Sequence, residues 1–130
     1  MNTDQNSAEY VRAFLARQTH MTIAVICSDG TPWAVPVHVQ KWDGGTLEWE
    51  SSIDSLHSQA ILAEPRIAIS MYELTAGGQN EFGFYVKAHA QKVADVPNQR
   101  ARYQATIDAA WINGQDHVKR DVPLDWLKRP

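Results

Sequence analysis

The residues best suited to chemistry lie in one short stretch, Trp49-Glu50-Ser51-Ser52-Ile53-Asp54-Ser55-Leu56-His57. A strand-like alternation through Leu47 and Trp49 runs directly into a helical pattern, so the serines and His57 fall at a helix start. The first turn of a helix leaves backbone N–H groups without intrahelical acceptors and carries partial positive charge, which suits a phosphate. Hydroxyls of Ser51, Ser52 and Ser55 add donors, and a protonated His57 adds charge. The same residues also have an internal use. Ser52 or Asp54 serving as N-cap would satisfy those amides from within the chain. The Asp54 carboxylate opposes an anion unless it points away. Both readings stand on sequence alone.

Other constellations are sparse. His20, His38, His57, His89 and His117 are scattered, with no i, i+4 pair, so no metal site is expected. No GxSxG elbow, GxxxxGK[ST] loop or GxGxxG fingerprint occurs, and no catalytic residue is identified. Glu48 and Glu50 alternate with Leu47 and Trp49 and read as a solvated strand face. Cys27 is the single cysteine, which excludes an internal disulfide and reads as a core residue. Of five tryptophans, Trp33, Trp111 and Trp126 lie off the inward stripes, where aromatics stack on ligand rings or cover a partner.

The elements that must position these groups follow from periodicity. Residues 6–18 form a helix capped by Asn6, with Glu9 three positions on and Tyr10, Val11, Phe14 and Leu15 on one face. Residues 21–27 and 31–40 form a hairpin about Ser28-Asp29-Gly30, and Pro36 demands a bulge or an edge in the second strand. Asp43-Gly44-Gly45 turns into a third strand at 46–51, giving three consecutive antiparallel strands. A second helix spans 52–63, with Leu56, Ala60 and Ile61 inward, and Pro65 ends it. Strands follow at 66–72 and 82–96, the latter with a bulge expected at Gly83, separated by a loop over 75–80. Pro97 opens a third helix to about 113, with Tyr103, Ile107, Ala110 and Trp111 aligned. Few helices beside about five antiparallel strands point to a β-barrel with helices outside it.

Size and composition agree with one domain over residues 1–130: a helical N-terminus at 6–18, a barrel at about 20–96, and a C-terminal helix and tail at 97–130. The 130 residues are 44% hydrophobic and 21% charged, within the globular range. The longest apolar run is too short to span a bilayer, and the first residues lack an export signal, so a cytoplasmic protein is expected. A net charge of −3 without a basic cluster argues against nucleic acid as partner.

The ordered combination of segments over about residues 10–96 resembles the pyridoxamine 5'-phosphate oxidase-like split-barrel flavin-binding family. Ile23-Ala24-Val25 with Ser28-Asp29-Gly30-Thr31-Pro32 is similar to its first hairpin, and Val35-Pro36-Val37 to the strand that follows. Residues 47–57 are similar to its third strand and phosphate turn, and Ala60 to Ile69 to its helix and the Pro-Arg opening the next strand. The resemblance implies a six-stranded antiparallel split barrel, a homodimer with FMN at the subunit interface, and redox chemistry on a small molecule. It places Val35, Pro36 and Val37 beside the flavin ring, Trp49, Glu50 and Ser51 along the cofactor, and Ser55 and His57 on its phosphate. Trp111 or Trp126 from the partner chain would close the pocket. This chain has His57 where the family usually carries Lys or Arg, and Leu56 where it usually carries Arg; Lys87, Lys92 and Arg66 are the cations available to compensate. A non-catalytic flavin, deazaflavin or haem carrier, with His38 or His57 as a contact, and a ligand-free dimeric interaction module are the competing readings.

Overall fold

The computed structural model describes residues 4–74 and 81–128. In chain order the elements are α1 (Ala8–Arg17), β1 (His20–Ile26), β2 (Pro32–His38), β3 (Lys41–Asp43), β4 (Thr46–Ser52), α2 (Leu56–Ala63), β5 (Arg66–Glu73), β6 (Phe82–Val96), β7 (Arg100–Asn113) and β8 (Lys119–Val122), then a short 3-10 helix, Leu124–Leu127. One antiparallel sheet runs β2-β1-β5-β6-β7-β4-β3, with β8 added to β7. Six long strands make the barrel; β3 and β8 are short additions. Strands β2 and β4 come within 8 Å between Cα atoms but share no ladder, so the barrel curls toward closure and stays split there.

Period-2 burial explains the core. Met21, Ile23 and Val25 of β1, Leu47 and Trp49 of β4, and Ile67, Ile69 and Met71 of β5 all point inward. Helix α1 adds Val11, Phe14 and Leu15, with the Phe14 ring 4.8 Å from Phe82. Its cap is Ser7 and not Asn6: the Ser7 hydroxyl accepts from the Tyr10 amide at 3.1 Å. Arg17 then fastens the helix to β5 through a two-pronged ion pair with Glu73, at 2.6 and 2.7 Å. No helix among the described residues is long and apolar enough to cross a membrane.

Other expectations change as well. Residues 97–113 are not a helix. Pro97-Asn98-Gln99 is a hairpin loop, with Asn98 at φ 67° and Gln99 at φ 56°, and β7 returns alongside β6. The strand after the Gly44-Gly45 turn does not extend a three-strand run; β4 pairs with β3 and β7 instead of β2. Helix α2 starts at Leu56 and not at residue 52, and Leu56 lies outside the core at 49% exposure while Ala60 and Ile61 are buried. The bulges of β6 and β7 fall at Lys87/Ala88 and Lys92/Ala94, not at Gly83. Gly83 has a different reason: a Cβ there would collide with the Tyr85 hydroxyl and Asn113, which hydrogen-bond at 2.8 Å. The sequence required an edge or bulge at Pro36, and β2 is one of the sheet's edge strands. The expected 75–80 loop lies outside the described residues.

Candidate functional site

The corner where β4 hands over to α2 is set by the β4–β7 ladder, which pairs Glu50 with Arg102, Ser51 with Ala101 and Ser52 with Arg100. Past the ladder, the Ile53 amide donates to the Gln99 carbonyl at 3.0 Å. Ser52 then closes a turn: its hydroxyl accepts from the Asp54 amide and its carbonyl from the Ser55 amide, both at 3.2 Å. Ser55 is the N-cap. Its hydroxyl donates to the Ser52 carbonyl at 2.8 Å, accepts from the Ser58 amide at 3.3 Å, and lies 2.7 Å from the buried Ser58 hydroxyl. The cap is therefore neither Ser52 nor Asp54, and the exposed Asp54 carboxylate does not fill the helix start. Ser58 is served by the cap, while the amides of Leu56 and His57 begin the helix and have no intrahelical acceptor.

The second half of the corner is a hydroxyl–imidazole pair. His57 Nε2 lies 2.9 Å from the Ser51 hydroxyl and 3.4 Å from that of Ser55, joining the end of β4 to the first turn of α2. Ser51 is buried and His57 half-buried. Burial pushes the His57 imidazole below its ordinary pKa, since desolvation disfavours the charged ring. The corner is thus a set of neutral donors around a histidine whose proton affinity is lowered by burial and would be raised by a bound anion.

Two cations that sequence reasoning did not assign to the site stand nearby. Arg100 donates to the Glu50 carbonyl at 3.1 Å, and Arg100 and Arg102 both approach the Glu50 carboxylate at 3.6 Å. The signal for them was the alternation Ala101, Tyr103, Ala105, Ile107, which puts both arginines in register with β4. The cations named as substitutes are engaged elsewhere: Lys92 with Asp95, Arg66 with Glu64, and Lys87 over the Trp111 ring at 5.8 Å.

The remaining predicted residues divide into three groups. Trp49 is a core side chain at 0% exposure, stacked on Tyr103 at 5.9 Å, with an indole N–H that meets no acceptor among the described residues. Val35, Pro36 and Val37 lie on β2 beside the split, with Val37 buried, Val35 half-buried and Pro36 exposed. Trp111 and Trp126 are not brought to the corner within one chain: Trp111 is separated from Arg100 by roughly 35 Å of strand, and Trp126 packs on the core from the 3-10 helix.

The sequence matches the family model of pyridoxamine 5'-phosphate oxidase over residues 7–127. The chain belongs to the pyridoxamine 5'-phosphate oxidase family. No curated protein matches it. Solved structures share the fold of this family member at low identity. A haem-binding protein from Mycobacterium smegmatis aligns at 15% identity and a TM-score of 0.79, covering 92% of this chain and 59% of its own. A FAD-binding protein from Mesorhizobium loti aligns at 16% and 0.71, covering 83% and 94%. An F420 reductase aligns at 16% and 0.64, covering 76% and 94%. This chain spans 59% of the length of the first of these. Identities this low speak for the fold alone.

The corner's donor types suit a phosphate group, such as that of a mononucleotide cofactor. Hydroxyl, imidazole and open helix-start amides converge there, and no carboxylate caps the helix. Ser51, His57 and the first-turn amides would hold the phosphate, while Ser55, already engaged on three sides, would shape the turn.

Proposed function

We propose that this protein is an FMN-binding oxidoreductase acting on a small molecule, working as a homodimer with the cofactor at the subunit interface. The observation that carries the reading is the β4–α2 corner, where Ser51 and His57 face each other at 2.9 Å beside first-turn amides that lack intrahelical acceptors, and Ser55 in place of Asp54 caps the helix. When bound, the flavin supplies the hydride or electron chemistry, so the chain needs no nucleophile or acid–base dyad of its own. Its residues bind and orient: the corner anchors one end, and β2 borders the split.

The outer sheet face supports the dimer. Strand register lines up Ala34, Ala24, Ala68 and Lys87 across four strands, with Pro36, Thr22, Ser70, Tyr85 and Trp111 in the neighbouring row. Ala24, Ala34, Ala68 and Ser70 lose little rotamer entropy when covered, and Tyr85 and Trp111 add aromatic area. A second copy of the chain is the occupant that would bury it and bring Trp111 into the assembly.

The test is the visible spectrum of the purified full chain, with FMN added and removed. Retained flavin bands are expected; a Soret-type band would replace this reading with a haem carrier, and a colourless protein that ignores FMN would end it. Within the first outcome, His57→Lys should tighten FMN binding by about ten- to a hundred-fold through a charge-assisted contact, and His57→Glu should abolish it. Equal affinities of both variants and the parent chain would remove His57 from the site.

A further inference from the structure

His20 and His38 are far apart in sequence, yet they form the opening rung of the β1–β2 ladder, and both are exposed. Their ring planes stand at 86° to each other with centroids 5.3 Å apart. That separation is one at which two imidazoles can share an ion. A tetrahedral ion bound to two imidazoles at about 2.0–2.1 Å, with each ring centre roughly 1.1–1.2 Å behind its nitrogen, sets the centroids about 5.2 Å apart.

Thr19 completes the arrangement. Its hydroxyl lies 3.0 Å from His20 Nδ1, so an Nδ1–H donated to Thr19 leaves Nε2 with its lone pair exposed. Antiparallel pairing on a hydrogen-bonded edge hairpin holds the two rings on one face without a helical i, i+4 spacing. No cluster of three or more His, Cys, Asp or Glu able to hold a metal occurs among the described residues, so water would fill the other positions. Two neutral nitrogens and open sites favour later first-row divalent ions, with Cu²⁺ strongest and Ni²⁺ and Zn²⁺ behind.

We infer that His20 and His38 form a surface chelate for a divalent transition-metal ion at the rim of the sheet's outer face, separate from the β4–α2 corner. Its ring of ligands lies one row beyond Thr22 and Pro36.

Titrating the full chain, without an affinity tag, with Cu²⁺ and then Zn²⁺ by calorimetry tests this. One strong equivalent per chain is expected. His20→Ala and His38→Ala should each weaken it at least ~10-fold, and Thr19→Val on the order of tenfold by releasing the His20 ring. His89→Ala and His117→Ala, whose imidazoles face Asp108 and Glu81, should leave it unchanged. Should an alanine variant fail to fold, carbethoxylation of the parent chain read by mass spectrometry decides: Zn²⁺ should shield His20 and His38 together and leave His89 and His117 reactive. Binding that survives both alanine changes, or carbethoxylation of His20 and His38 that Zn²⁺ does not slow, would overturn the site.

Discussion

His57 is the residue on which pH acts most directly. Unfolded, its imidazole takes a proton near pH 6.5; in the folded chain burial postpones that to lower pH. The neutral ring's contribution is therefore intact above about pH 6.5 and is lost as pH falls through the folded value. A bound phosphate acts in the opposite sense. It favours the imidazolium, so binding takes up a proton, and FMN affinity should rise as pH is lowered from 8 to 6. Two measurements check this: thermal midpoints of the free chain, expected to fall from pH 7 to pH 5, and flavin-fluorescence titrations across the upper range. His57→Gln should flatten both profiles, and an unchanged pH dependence of FMN affinity in that variant would detach the imidazole from the anion.

At the scale of elements, α1 depends on Phe14, fully buried against Phe82 and Phe84, and is fastened at its end by Arg17 on Glu73. Phe14→Ala should cost about 3–5 kcal/mol in denaturant unfolding, whereas Arg17→Ala, half in water, should cost about 1 kcal/mol or less. A loss below 1 kcal/mol for Phe14→Ala would mean that the helix is only loosely docked. Strands β1, β4 and β5 were legible because their inward positions alternate without interruption. β7 was not, and the reason is local. Ala101, Tyr103, Ala105 and Ile107 alternate inward, then Asp108 bulges opposite Lys87 and Ala88, and burial resumes out of phase at Ala110 and Ile112. The phase slip makes Tyr103, Ile107, Ala110 and Trp111 imitate a helical stripe, and Pro97 completes the disguise. The same misreading hid Arg100 and Arg102 from the site. The corner's composition was visible in its serines, but which serine capped α2 depended on the turn that Ser52 closes, a feature with no periodicity to announce it.

For the molecule as a whole, the decisive surface is the outer face centred on Ala24, Ala34 and Ala68. Ala68→Arg places a charge in the middle of it without touching the core. The expected result is a monomer by light scattering, with cofactor lost on gel filtration and the thermal midpoint of the apo chain preserved. A dimer that tolerates the arginine would move the subunit contact elsewhere. Association through that face is also the route left open by the sheet's rim. β2 ends the ladder, and Pro32 and Pro36 withhold two N–H groups that an incoming chain would require. Lateral growth into ribbons or fibrils is discouraged at that border, so the β2 edge does not compete with the proposed back-to-back pairing.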